Sequence, residues 1–241
     1  MFLGFIKDSS EDSAPGCEDH RITQELKAWC EQIIAKFSMI FPESLPKDLP
    51  LRCDIDHMIE TIPGQTPPMH TPYWLAPKEL DELKKMLQDL LENGHIWPSK
   101  SPYATPILFV HKKDGTLQMC VDYQALNHIM VKDKYPLPLM MELFDWLLGA
   151  QFFSTLDMHS GYHQVCITKS DIYKTAFNMH YGQYEFLVMP FSLTNALATF
   201  MHLMNNVMHP LLDVCVIIFF NDILVYSKRL WKSMISIWSK F

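Results

Sequence analysis

Two apolar runs near the C-terminus set the strongest constraint on the fold: VCVIIFF (214–220) and ILVYS (223–227), separated only by Asn221-Asp222. β-Branched and aromatic residues crowd both runs, and a two-residue polar break between such runs marks a tight β-hairpin. Strands this apolar on both faces have to sit inside a sheet covered by other elements. The run 214–220 is far short of the roughly 20 residues that a helix needs to cross a bilayer. The polar pair admits two readings. Asn and Asp tolerate positive φ and make the turn; alternatively, Asp222 presents a carboxylate at the rim of a buried sheet. A second apolar strand, Phe152–Leu156, ends in the same way at Asp157.

Covering elements are legible upstream. Pro77 opens the clearest helix, with an apolar stripe of Leu80, Leu83, Leu87, Leu90 and Leu91 and a stop at Asn93-Gly94. Thr105–His111 and Leu117–Asp122 read as strands joined through the turn KKDGT (112–116). A helix is expected over Pro138–Leu148, ended near Gly149, and paired strands within 175–190 around Tyr181-Gly182. Another helix is expected over Thr194–Val207, capped by Thr194 or Ser192. Ahead of these, residues 8–20 are acidic and turn-rich, and Ile22–Phe37 has near-helical apolar spacing. Residues 41–78 hold eight prolines and read as extended chain. The mixed order gives an α+β fold class without internal repeats.

With 49% apolar and 20% charged residues in 241, the chain has the composition of a globular protein with a sizeable core. A net charge of −7 argues against a strong non-specific nucleic-acid binder, but leaves room for a local basic groove. The six cysteines are scattered without a C-x-x-C pair, which excludes a zinc ribbon or a dense disulfide framework. Reduced thiols and the lack of a signal-peptide cleavage pattern fit an intracellular protein, cytoplasmic or nuclear, with no membrane partner. His159 and His163 have i, i+4 spacing, yet no further ligands accompany them, so zinc is not expected there.

The chemistry of the two strand-end carboxylates depends on whether they converge. In-line phosphoryl transfer uses closely spaced carboxylates to hold two cations about 3.5–4 Å apart, and hard oxygen ligands suit Mg²⁺. Ordered stretches decide between the readings: HIWPSKSPYATPILFVHKKDGT, MCVDYQALN, KYPLPLM, FSTLDMHSGYHQV, KTAF, YGQYEFLVMPFSLTNALATF and FFNDILVYSK. From 53 to 228, roughly three-quarters of the chain, the sequence resembles the reverse transcriptase of gypsy-type LTR retrotransposons. The resemblance implies a right-hand polymerase with fingers and palm over 53–228, a lead-in and linker over 1–52, and a divergent tail over 229–241. It also implies RNA-directed DNA polymerisation with Mg²⁺, deoxynucleoside triphosphates and an RNA or DNA template with primer.

Position by position, the resemblance makes Asp157 and Asp222 metal-binding catalytic residues, with Asn221 beside them. Met158 would lie next to the incoming nucleotide, and Tyr162 would be the aromatic gate against a ribose 2′-OH. Lys112 and Lys113 match the triphosphate-clamping hairpin. Phe191, Ser192 and Asn195 match the nucleotide- and template-positioning segment, while Trp97, Pro98 and Ser99 match the template-approaching stretch. Several positions depart from the family pattern. Asn221 stands where a third carboxylate is usual, and Phe219 stands for a tyrosine. Gln118 and Gln124 replace arginines, Ser192 replaces a glycine, and Leu197 replaces a proline. After Lys228, RLWKSMISIWSKF lacks the usual His- and Glu-bearing helix, so a missing thumb is expected. Two functions follow: an impaired RNA-directed DNA polymerase, or a catalytically dead relic that at most binds nucleic acid.

Overall fold

The computed structural model describes residues 4–7, 31, 35–36, 47–112, 115–136, 138–158, 160–220 and 222–228. The acidic lead-in, most of the helical pattern at 22–37, and the tail 229–241 fall outside the described residues. The chain forms two compact units: one from Pro46–Tyr135 and Tyr162–His202, the other from Pro136–Gly161 and Leu203–Phe241 with Met1–Leu45. The block expected at 53–228 thus divides between two units.

The larger unit opens with extended chain that attaches through single bridges, His57 to Ile167, Thr61 to Met130 and Met69 to Ala104. Helix α1 (Pro77–Glu92) follows, with proline at its first turn and Glu79 accepting the Ala76 N–H at 2.7 Å. Its Leu83 and Leu87 are buried, and Gly94 takes φ 67 just beyond the helix. A five-stranded sheet follows the order β2-β7-β6-β3-β4, built from β2 (Ile96–Pro98), β3 (Thr105–His111), β4 (Leu117–Val121), β6 (Phe177–Met179) and β7 (Gly182–Phe186). β2 carries Pro98 and sits at the sheet edge, where a missing donor is tolerated. Tyr123, Leu126, Ile107 and Phe177 are almost fully buried, and the Tyr123 hydroxyl donates to the Thr175 carbonyl at 2.8 Å.

The other unit carries a four-stranded antiparallel sheet in the order β1-β5-β9-β8: β1 (Gly4–Lys7), β5 (Phe152–Asp157), β9 (Asp222–Ser227) and β8 (Val216–Phe219). Ile217, Ile218, Ile223 and Val225 are buried, as two-sided apolar strands require. No helix among the described residues is long and apolar enough to cross a membrane.

Several boundaries differ from expectation. In the 214–227 hairpin, Phe219 pairs with Asp222, so the connecting residues are Phe220 and Asn221 rather than Asn221 and Asp222. Phe220 takes φ 56, an unusual conformation for an aromatic residue. The same shift occurs at β6–β7, where Met179 pairs with Gly182 and His180-Tyr181 connect them. Helix α3 spans Met140–Leu147 rather than Pro138–Leu148, because Leu139 is extended and donates its N–H to Glu142 at 3.3 Å. Helix α4 spans Ala196–Met208, so the residue immediately before it is Asn195 rather than Thr194 or Ser192. Asn127 holds the backbone of both residues, accepting the Thr194 N–H at 2.8 Å and donating to the Ser192 carbonyl at 2.8 Å. Asn127 belongs to helix α2 (Gln124–Ile129), which the sequence pattern did not mark.

Candidate active site

Asp157 is the last residue of β5 and Asp222 the first of β9, and the antiparallel register sets them directly opposite each other. Directly opposed residues point to the same sheet face, with Cβ atoms about 4.5–5.5 Å apart. Both side chains are exposed. Two like charges in this position repel, so the pair is favourable chiefly when a cation lies between them. Carboxylate oxygens are the hard donors that divalent ions such as Mg²⁺ take. The donor set fits such an ion. Among the described residues no three His, Cys, Asp or Glu side chains cluster as a metal cage. Asn221, the neighbour expected in the site, lies outside the described residues. Met158, which follows Asp157, is 5% exposed.

The other unit gathers a set of rings. Tyr162 lies in a 3-10 helix (Gly161–Gln164), with its ring stacked on Phe200 at 5.2 Å and tilted against Phe191 at 5.0 Å. The sequence placed Tyr162 and Phe191 in separate motifs, and the fold brings them into contact. Phe200, the buried ring behind Tyr162, had no signal beyond its helical spacing. His163 packs against Phe191 at 5.4 Å and His95 at 5.1 Å. Burial, with the neighbouring His95, pushes His163 down to about 4, so the ring is neutral at ordinary pH. His159 lies outside the described residues.

Ser192 takes φ 76, where glycine is the default residue. The serine standing for the family's glycine therefore occupies a backbone conformation that penalises a side chain. Asn195 is 8% exposed and commits its amide to one loop, donating to the Val131 carbonyl at 2.8 Å and accepting the Asp133 N–H at 3.0 Å. Trp97 and Ser99 both donate to the Glu185 carboxylate, Ser99 at 2.6 Å, with Trp97 opposite Glu185 in the β2–β7 register. Glu185 thereby fixes the stretch that includes Pro98, a role the sequence left unmarked.

On the β3–β4 hairpin, Lys112 is exposed and Gln118 pairs with Val110. The turn closes through the Lys112 N–H donating to Thr116 at 2.8 Å and the Gly115 N–H donating to Lys112 at 3.0 Å. Lys113 lies outside the described residues. Gln124 begins α2, with its N–H donated to Asp122 at 3.3 Å.

The sequence pattern of the family described as reverse transcriptase (RNA-dependent DNA polymerase) matches residues 110–241. The chain belongs to the reverse transcriptase family. Over 188 residues it is 37% identical to the retrovirus-related Pol polyprotein from transposon 297 of Drosophila melanogaster, covering 76% of this chain and 18% of that protein. It is 51% identical over 112 residues to an RNA-directed DNA polymerase homolog of Oenothera berteroana, covering 46% of this chain and 79% of that protein. In fold it resembles the foamy viral protease-reverse transcriptase solved with an RNA/DNA hybrid, at a TM-score of 0.73 and 20% identity. That likeness covers 90% of this chain and 29% of the foamy viral one. A second foamy viral structure, solved with double-stranded DNA, gives 0.72 at 23% identity. The chain is a reverse transcriptase domain of LTR-retrotransposon kind, α+β in fold, spanning less than a fifth of the transposon 297 polyprotein. Reverse transcriptases generally work with divalent metal ions.

Proposed function

We propose that this reverse transcriptase domain is built for Mg²⁺-assisted transfer of deoxynucleotides to a primer on an RNA or DNA template, and that Asn221 and Gln118 leave it without measurable turnover. The supporting observation is the register that sets Asp157 opposite Asp222. These two carboxylates would hold the ion, which when bound neutralises charge developing on the reacting phosphate oxygens. Tyr162, backed by Phe200 and flanked by Phe191, supplies a rigid aromatic edge against a ribose 2′-OH. Lys112 is an exposed cation of the β3–β4 hairpin available to a triphosphate. Trp97, Pro98, Ser99 and Asn195 shape the stretches assigned to the template.

The two substitutions act on the same chemistry. Asn221 offers a neutral amide oxygen where a charged ligand is usual, and such a change costs several kcal/mol, or orders of magnitude in rate. Gln118 lacks the forked, charged donors with which an arginine grips phosphate. Primer extension on an RNA template with Mg²⁺ tests the reading. The unmodified chain yields no product. The Asn221→Asp, Gln118→Arg double variant restores at most weak extension, and adding Asp157→Ala abolishes it. Mg²⁺-dependent extension by the unmodified chain, lost on Asp157→Ala, overturns the claim of lost turnover.

A further inference from the structure

Strand β7 carries two polar side chains, Gln183 and Glu185, spaced i, i+2 and so on one face of the strand. Both are spent on the segment 97–103 that begins in β2. Glu185 stands opposite Trp97, and one carboxylate oxygen accepts the indole N–H while the other accepts the Ser99 hydroxyl at 2.6 Å. The Ser99 N–H donates to the Gln183 carbonyl at 2.9 Å, and the Gln183 amide donates to the carbonyls of Ser101 at 3.0 Å and Tyr103 at 2.6 Å. Ser101 gives its N–H to the Ser99 hydroxyl at 3.0 Å and its own hydroxyl to the Tyr173 carbonyl at 2.5 Å.

The result of this bonding is a fixed ring. Trp97 lies on the sheet-edge strand and is 46% exposed, although its N–H is already used. What the indole offers to solvent is therefore its π surface rather than a donor. Lys100, exposed in the same loop, adds a positive charge. An aromatic ring and a cation on one loop is the combination by which proteins hold unpaired nucleic-acid strands, with bases stacking on the ring and the cation meeting phosphate. A carboxylate is an unfavourable neighbour for phosphate. Glu185, with both oxygens taken up by donors, serves here to aim the ring.

We propose that Glu185 is a positioning residue for the unpaired part of a nucleic-acid template: it holds Trp97 so that the ring stacks on an exposed base. This rests on the template reading of Trp97, Pro98 and Ser99 proposed above, and adds to it the residue that acts through them. Removing a carboxylate from a nucleic-acid surface ordinarily tightens binding, because repulsion of phosphate is lost. The positioning role predicts the opposite sign for Glu185→Ala. It predicts little loss for Glu185→Gln, whose amide oxygen still accepts the Trp97 N–H and whose NH₂ group donates to the Ser99 hydroxyl.

The test is fluorescence anisotropy of the full chain with two labelled probes: a blunt RNA/DNA duplex, and the same duplex with a 5′ RNA overhang of about six unpaired nucleotides. The ratio of the two affinities is the readout. The unmodified chain prefers the overhang by about tenfold, the worth of one stacked base. Glu185→Ala brings the ratio close to unity and Glu185→Gln keeps most of it. Trp97→Ala lowers the ratio as far as Glu185→Ala does, and combining the two causes no further loss. No binding of the overhang probe by the unmodified chain, or a ratio near unity, overturns the template reading and this inference together. A preference that survives Glu185→Ala, or that Glu185→Gln loses equally, overturns the role of Glu185 alone. Where Glu185→Ala melts early, Ser99→Ala decides instead, since it removes one donor to the same carboxylate. Its ratio falls about threefold, and an unchanged ratio overturns the role of Glu185.

Discussion

Ser192 and His57 show how single residues load this structure. Ser192 is held at φ 76, a region where a side chain costs of order 1 kcal/mol relative to glycine. Ser192→Gly should raise stability in urea by about 1 kcal/mol, less the extra entropy that glycine brings to the unfolded chain. His57 is fully buried, with Nδ1 2.8 Å from the Thr199 hydroxyl, and its Nε2 has no partner among the described residues. Burial pushes its pKa from 6.5 down to about 4, against the opposing pull of Asp171 and Asp133. Between those values the unfolded chain binds the proton that the folded one refuses. The stability associated with neutral His57 is therefore complete above pH 6.5 and lost as pH falls toward 4, by roughly 3 kcal/mol in total. Urea titrations across pH 4–7 should show a shallower loss for His57→Gln than for the unmodified chain.

At the scale of elements, the 3-10 helix Ile172–Thr175 and the extended chain at residue 59 are joined by one part-buried knot. Lys174 donates to Asp171 at 2.8 Å and to the Ile59 carbonyl at 2.6 Å, while Asp171 accepts the Ile59 N–H at 2.9 Å. Lys174→Met should cost about 3–5 kcal/mol, because it strands the Asp171 charge in a buried position; adding Asp171→Asn should recover part of that loss. Thermal melts of the single and double variants decide this. Local periodicity made the hairpins and α1 legible, since strands at 105–121 and 214–227 alternate with clear turn residues. The turn phase was not legible. Asn221-Asp222 and Tyr181-Gly182 both read as turn pairs, yet strand pairing takes Asp222 and Gly182 and leaves Phe220 at φ 56. Six-residue α2 is too short to show a helical period, so the hold of its Asn127 on the backbone of Ser192 and Thr194 was not legible either.

At the scale of the whole molecule, the fold class and family were readable because motifs run in order along most of the chain. The carboxylate pair was readable only through resemblance. Asp157 and Asp222 meet by a pairing of β5 with β9, strands far apart in sequence, and no local spacing encodes that register. The contact of Tyr162 with Phe191 and the hold of Glu185 on Trp97 and Ser99 are likewise products of tertiary pairing. With a net charge of −7, the proposed nucleic-acid contact would depend on local groups such as Lys112 rather than on the overall field. We propose Asp157 and Asp222 as a divalent-ion site that Asn221 weakens. Melting temperature as a function of Mg²⁺ measures it directly, because an ion that binds only the folded state raises stability by mass action. The unmodified chain should be stabilised weakly by Mg²⁺ and Asn221→Asp more strongly. Asp157→Asn should melt higher without metal, by about 0.2–1 kcal/mol of relieved repulsion, and respond little to Mg²⁺. Identical Mg²⁺ responses from the unmodified chain and Asp157→Asn would rule out an ion held by this carboxylate pair.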